Sequence, residues 1–485
     1  MKNLSNKSIR VINDFNKMKN ISNSYIVKGD WEHALRTIFI ACGFMYTMNQ
    51  IQYDADVENM VNMIAQELIP NPENYYTSEK TVLYYDSFGN VERGLSKIYL
   101  DALNDLGFDV KYVTVQYCTK SLKILEERLG IENVFCIQCS SYEERMRSLA
   151  RIIEQSHAQC ALLYMTPDDV AAAGVFSIFK GKIQRLMINL TDHAFWIGRD
   201  ACDIVVNFRE FGGKVCKSKR NFAESQIAYL PYYPDEIKSD FQELPFSDNS
   251  RKLIFSGGAL YKTESIDNKY FQLVERLLTE YPDTNFMYLG NGDSKKIRQF
   301  VNKYPGRAFF ATERSDFFEV MKRCTIYLST YPYNGGMMTQ YALLAKKIPI
   351  TLMCPGIDRE LSILNEKSFW NYTSLDACVE EVGKLLNDDI YRRKKEKSLT
   401  DFLISQNQFT KELQYLLING VSKRQINYNN YEFDGFSRFP LEKYSGIKYY
   451  RLFFRKNGIF MLRFFPVQYF LGGLETIKEK IYKSI

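Results

Sequence analysis

The stretch 325–350 constrains the fold more than any other part of the chain. Its residues, TIYLSTYPYNGGMMTQYALLAKKIPI, read as a strand (325–330), a tight loop (331–336), a helix (337–347) and the start of another strand. The β-branched and aromatic run supplies the first strand, and Pro349 with the ITLM after it the last. Asn334-Gly335-Gly336 lets the backbone approach a ligand just where the helix begins. A helix start offers free N–H groups and the positive end of its dipole, which suits a phosphate. Strand, glycine loop and helix start are the parts of a nucleotide-diphosphate site at the carboxyl edge of a parallel sheet. The same parts also make a plain βα turn.

Two further glycine turns bear on that choice. In LIFSGGALYKTES a strand (253–256) runs into Gly257-Gly258, and Lys262 follows where a cation can reach a pyrophosphate. In FMYLGNGD a strand ends at Gly290-Asn291-Gly292. None of the three is a GxxxxGK[ST] loop or a spaced GxGxxG fingerprint.

A chain of 485 residues exceeds one ordinary core, so two or three domains are expected. Its 46% hydrophobic and 25% charged content is that of a soluble globular protein. The apolar run 38–48 is too short for a membrane span, and the first ten residues lack the apolar core of a signal peptide. Ten scattered cysteines point to a reducing compartment. Cys136 and Cys139 form one CxxC inside VFCIQC; without a second pair it reads as a half-buried strand rather than a zinc site. The net charge of +6 is uneven: 437–485 holds ten Lys/Arg against three Glu, or +7, leaving −1 elsewhere. The basic character therefore belongs to the tail, and a general nucleic-acid surface is not expected.

Residues 1–75 read as helical, with Trp31, Leu35, Ile38, Phe39 and Cys42 at helical spacing and Asp30 as a cap. A second helix (54–68) carries Val57, Val61, Ile64, Ala65 and Leu68 on one face. The pair reads as a helical cap on the next domain, since no second copy makes a repeat. A linker (70–80) leads to strand 81–88, a helix ended by Gly107, and strand 108–115. Further strands are expected at 133–138, 161–165, 185–189 and 204–208, giving an α/β domain over 80–232. Three prolines in 230–250 mark the boundary. A second α/β domain over 250–420 has strands at 252–256, 284–289, 308–310, 325–330 and 348–354, and 431–485 is a basic aromatic tail.

Two α/β domains joined by a proline-bearing linker, with phosphate-type turns in the second, resemble the GT-B fold glycosyltransferases. The resemblance covers 80–420 and rests on SGGALYK, YLGNGD, the segment ATERSDFFEVMKRCTIYLSTYPYNGGMMTQYALLAKKIPI, and NLTDHAFWIG in the first domain. It implies an α/β fold of two Rossmann-like domains facing a cleft, with the helical N-terminal segment and the tail added. It implies Gly257, Gly258 and Lys262 at the donor diphosphate. It places Asn334, Gly335, Gly336, Met337 and Thr339 at the pyrophosphate and its sugar, and Thr312 and Arg314 near the nucleobase. Retaining members commonly carry two glutamates here, whereas 331–345 has no acidic residue. That region looks more like the inverting protein O- and N-glycosyltransferases. With no DxD-like pair near the donor turns, neither a metal nor another cofactor is implied.

In NLTDHAFWIG, Asp192-His193 follows a strand directly. His193 is a candidate base for an acceptor hydroxyl, or a donor to the leaving phosphate; a histidine satisfied inside the domain is the other reading. Asp86, ending the first strand, is the rival base or else a turn residue. Gly89, Arg93 and Gly94 are assigned to the acceptor-side loop; Arg209 either reaches across the cleft or, the preferred reading, lies on the solvated surface.

From Phe439 to Phe470, eleven aromatic residues interleave with Arg and Lys. This pattern suits an interfacial segment on an anionic membrane, or aromatics docked on the body of the protein. The expected activity is transfer of a sugar from a nucleotide-sugar to a glycan, lipid-linked glycan or protein acceptor. The expected setting is bacterial surface-polysaccharide synthesis, in the cytoplasm or at the inner face of the cell membrane. A non-catalytic glycosyltransferase-like accessory protein is the alternative, and a sugar epimerase a third.

Overall fold

The computed structural model describes residues 5–70, 72, 75–89, 94–235, 237–312, 314–357, 369–399, 402–429, 431–444, 453–454, 456–468, 470–471 and 474. The chain forms two compact units. The first comprises Met1–Leu230, Thr410–Tyr431 and Phe436–Ile485; the second comprises Pro231–Phe409 and Glu432–Gly435.

The first unit opens with helices α1 (Asn6–Ile26), α2 (Trp31–Met48) and α3 (Ala55–Leu68). Ser5, Asp30 and Asp54 cap them, each side chain accepting a backbone N–H three residues on. Strands β1 (Ser78–Asp86), β2 (Asp109–Thr114), β3 (Val134–Cys136), β4 (Ala158–Tyr164), β5 (Gln184–Ile188), β6 (Ile204–Asn207) and β7 (Ile227–Tyr229) follow. Between them run α4 (Gly94–Asp105), α5 (Thr119–Leu129), α6 (Tyr142–Ser156), α7 (Val170–Ile178) and α8 (Glu210–Lys219). The strands form one sheet in the order β3-β2-β1-β4-β5-β6-β7, and every pairing is parallel. Burial on both faces explains the unbroken apolar reading of β1 and β4. The order reverses between β1 and β4, so their carboxyl ends flank the switch point.

The N-terminal helices are a layer of this unit. Phe15, Leu35, Phe44, Val61 and Ile64 share one core cluster with Leu163, Phe176 and Met187. Gly174 lets α7 approach α3, since a Cβ there would lie 3.1 Å from the Ala65 Cβ. Glu58 is buried and accepts the N–H groups of Gly198 (2.8 Å) and Arg199 (2.9 Å), which pins α3 to the loop after β5. The tail enters the same core through Phe453, Phe460, Met461, Phe464 and Phe465. The Phe44 and Phe453 rings pack at a tilt with centroids 4.8 Å apart, and Lys17 Nζ donates to the Phe464 carbonyl at 2.6 Å. These aromatics are docked.

The second unit has strands β8 (Lys252–Gly257), β9 (Thr284–Leu289), β10 (Ala308–Ala311), β11 (Ile326–Leu328), β12 (Pro349–Leu352) and β13 (Asn371–Tyr372). They form a sheet ordered β10-β9-β8-β11-β12-β13, again parallel throughout. Its helices are α9 (Lys269–Glu280), α10 (Lys295–Val301), α11 (Phe317–Arg323), α12 (Gly336–Leu344), α13 (Leu375–Asn387) and α14 (Asp389–Lys397). Helix α15 (Gln406–Asn419) carries the chain back to the first unit, and α16 (Asp434–Lys443) leads to the tail. The contact boundaries thus differ from those read in the sequence. The proline-bearing stretch after Leu230 packs with the second unit, and 410–420 with the first.

Candidate functional site

In the second unit, the switch point lies between β8 and β11. Strand β8 ends at Gly257, and Gly258 takes φ +129°, a conformation open to glycine but strained for other residues. The chain then makes a 3-10 turn, Leu260–Thr263, which carries Lys262. After β11, Thr330 Oγ1 donates to the Tyr333 carbonyl at 2.6 Å and closes the loop that delivers Asn334 and Gly335. Helix α12 starts at Gly336 with Gly335 as its N-cap and no side-chain cap. Lys262 Nζ lies 3.8 Å from the point a Cβ on Gly335 would occupy. Tyr232 Oη lies 3.2 Å from the corresponding point on Gly336. Gln340 Nε2 donates to the Tyr232 carbonyl at 3.1 Å, which holds that tyrosine against α12. Gly257, Gly258, Lys262, Asn334, Gly335 and Gly336 therefore sit together at the sheet's carboxyl edge. Met337 is half-buried in the first turn of α12. Thr339 lies inside, fully buried, its hydroxyl without a hydrogen-bond partner among the described residues.

The third glycine turn has a different task. A Cβ on Gly290 would fall 1.9 Å from the Gly258 carbonyl oxygen, so no other residue fits. Gly258 N–H donates to the Leu289 carbonyl (2.9 Å), Leu260 N–H to the Asn291 carbonyl (2.8 Å), and Tyr288 Oη to the Gly258 carbonyl (3.0 Å). YLGNGD is thus the scaffold on which the Gly257-Gly258 turn rests. Thr312 is exposed on the loop after β10. Arg314 departs from the expectation of a nucleobase contact: its guanidinium grips Asp316 at 2.8 and 2.7 Å and donates to the Gln242 carbonyl. Its fork is engaged in holding 242 to this loop.

In the first unit, Asp192 and His193 follow β5, as expected, and Arg209 follows β6. Arg209 is not a solvated surface residue: Nε and Nη2 meet Asp192 Oδ2 and Oδ1 at 2.6 and 2.8 Å. Asp192 packs against the first turn of α8, where a Cβ on Gly212 would lie 3.0 Å from its own Cβ. Burial disfavours its charge, yet the Arg209 guanidinium holds the carboxyl well below the usual carboxylate range. His193 Nδ1 lies 3.3 Å from Asp192 Oδ1. The His193 side chain is 39% exposed against 1% for Asp192, so the imidazole alone can meet a substrate.

Residues that the sequence did not mark position this imidazole. Asn49, in the left-handed region at the end of α2, donates to the carbonyls of His193 (2.8 Å) and Phe436 (3.0 Å). The Phe436 ring lies 5.2 Å from the imidazole. Buried Arg220 donates to the carbonyls of Asp192 (3.1 Å) and Ala194 (2.5 Å), on either side of His193. No local pattern links these positions, which are far apart in the chain.

Asp86 corrects the expectation of a rival base. It is fully buried, and its oxygens accept from Phe88 N–H, Gly89 N–H, Ser96 Oγ and Tyr112 Oη at 2.8 to 2.9 Å. Burial raises its carboxyl above the usual range, against those four donors. With its lone pairs committed, Asp86 anchors the turn after β1 and offers none to an acceptor. Arg93 lies outside the described residues. Among the described residues no group of His, Cys, Asp and Glu has the makings of a metal site.

No protein-family model and no curated protein matches this chain. Solved structures do. A mutant of the O-GlcNAc transferase of Thermobaculum terrenum aligns with 88% of this chain and 85% of its own, at 12% identity and TM-score 0.49. A glycosyltransferase from Rickettsia africae aligns over 71% of this chain and 98% of its own, at 13% identity and TM-score 0.49. A UDP-GlcNAc 2-epimerase from Neisseria meningitidis bound to UDP-GlcNAc aligns over 70% of this chain and 100% of its own, at 13% identity and TM-score 0.46. Likenesses this distant carry no activity over to the chain. It is the strand orders of the two parallel, doubly wound sheets that give the fold class: two Rossmann-like units in tandem, as in GT-B proteins.

Proposed function

We propose that the chain is a nucleotide-sugar-dependent glycosyltransferase. Its second unit would hold the donor diphosphate at Gly257, Gly258, Lys262, Asn334, Gly335 and Gly336, with Met337 and Thr339 in the helix behind. The observation that carries this reading is the approach of Lys262 Nζ and Tyr232 Oη to the two glycines that start α12. A pyrophosphate there receives backbone N–H groups, the helix dipole, one ammonium and one phenol, and needs no metal to offset its charge. The glycines leave room for its oxygens. Thr312 is exposed on the loop assigned to the nucleobase.

In the first unit His193 is the base for the acceptor hydroxyl, or the donor to the departing phosphate. Asp192, kept ionised by Arg209, favours the tautomer with its proton on Nδ1. That leaves Nε2 to take the acceptor proton as the oxygen attacks the anomeric carbon. Transfer to a glycan, lipid-linked glycan or protein hydroxyl, within cytoplasmic synthesis of a bacterial surface polysaccharide, completes the reading.

The test is thermal stabilisation of the full chain by a panel of nucleoside diphosphates. One nucleotide should raise the midpoint, and Lys262→Ala and Asn334→Ala should each abolish the shift. His193→Gln should keep the shift and lose transfer from the matching nucleotide-sugar. No shift with any nucleotide would refute the donor site and favour a non-catalytic accessory role.

A further inference from the structure

The C-terminal tail has two faces of different chemistry. Its aromatic residues Phe453, Phe460, Phe464 and Phe465 are buried in the core of the first unit. Other apolar residues of the tail are exposed: Ile459 by 75%, Val467 by 64%, Phe470 by 66%, Leu471 by 45% and Leu474 by 59%. The docking that accounts for the inward aromatics leaves this outward set in water. From Lys443 to Leu474 the chain has six Lys/Arg and no Asp or Glu. Among the described cations, Lys456 is 60% exposed and pairs with Asp168 at 3.5 Å, and Arg463 donates to Tyr25 Oη.

We propose that this outward face seats the protein on an anionic lipid bilayer. Val467, Phe470, Leu471 and Leu474 recur at helical spacing in a segment rich in Lys and Arg, the pattern of an interfacial contact: the apolar groups enter the acyl boundary and the cations of the segment meet lipid phosphates. A second copy would bring together two segments that each have six Lys/Arg and no Asp or Glu. Single-stranded nucleic acid would need exposed aromatic faces for stacking, and here most of the described aromatics are turned inward. Among the described residues no helix is long and apolar enough to cross a membrane, so the contact lies at the interface.

The test is co-sedimentation of the full chain with phosphatidylcholine vesicles, with and without about one-third phosphatidylglycerol, at low and high salt. Deleting the tail would not serve, because it removes core aromatics. The variant is the triple Val467→Asp, Leu471→Asp, Leu474→Asp, checked for an unchanged thermal midpoint. Binding is expected only to the anionic vesicles, to weaken with salt, and to fall at least about tenfold in the triple variant. In a second readout that needs no loss of binding, Val467→Trp should be quenched by brominated lipid beyond the wild-type level. Absence of wild-type binding, equal binding by the triple variant, or no added quenching overturns the proposal. So does self-association in the absence of vesicles that the triple variant abolishes, which would assign the face to a second copy.

Discussion

Asp192 and Glu58 are both buried carboxyls of the first unit, and their surroundings push them in opposite directions. Burial raises both. At Asp192 a guanidinium with two hydrogen bonds overrides it; at Glu58 only backbone N–H groups oppose it, and the carboxyl is pushed up to about 7. The folded protein therefore holds a proton on Glu58 that the unfolded chain releases near its ordinary value of 4.5. The resulting stabilisation is fully present below that value and is lost as pH rises through about 7. Stability of the wild type against urea should fall between those limits, and Glu58→Gln should remove a fall of roughly 3 kcal/mol. An identical pH profile in the variant would refute this. Asp192 contributes in the opposite sense: its stabilisation is present above the ordinary carboxylate value and is lost only in strong acid. Asp192→Asn leaves the Arg209 charge buried without its partner and should cost about 3–5 kcal/mol in the same measurement at neutral pH.

The glycine turns show how far element-level reading reaches. Strand, turn and helix start were legible at 325–350 because periodicity and glycine placement are local. The helix begins at Gly336 and ends at Leu344, within a few residues of expectation. Strands β7 and β13, with three and two residues, are too short to carry a period and were not anticipated. What Gly290 does was not legible either, because its constraint is the Gly258 carbonyl on a neighbouring strand. Gly290→Ala should destabilise the second unit by about 1–3 kcal/mol by forcing two backbones apart. It should also weaken nucleotide binding, since the displaced segment is the Gly257-Gly258 turn. Calorimetry and the nucleotide shift, read on one sample, check both; an unchanged midpoint would show that the loops separate freely.

On the scale of the molecule, the N-terminal helices and the C-terminal tail meet in one core. Phe15 and Phe44 from the N-terminal helices and Phe453 and Phe464 from the tail belong to a single cluster. The sequence marked the first segment as a cap and left the tail between membrane and docking. It did not show that each completes the other. Deletion after Arg438 should therefore lower the thermal midpoint on the order of 10 °C or more, because several buried aromatic rings are lost together. A truncated chain with the wild-type midpoint would mean that the tail aromatics contribute little to the core.

The sequence by itself determined the α/β class, the division near Leu230, the placement of most strands and the glycine turns at their ends. These follow from burial patterns and backbone preferences that act within a few residues of one another. Only the tertiary structure decided which charges pair, as with Arg209 on Asp192 and Arg314 on Asp316. Only it brought Lys262 to Gly335, filled the lone pairs of Asp86, and buried Phe453, Phe460, Phe464 and Phe465 of the tail while leaving Val467, Phe470 and Leu474 exposed. Each of these depends on through-space contact between elements distant in the chain, and such contacts are set when the sheets and helices pack.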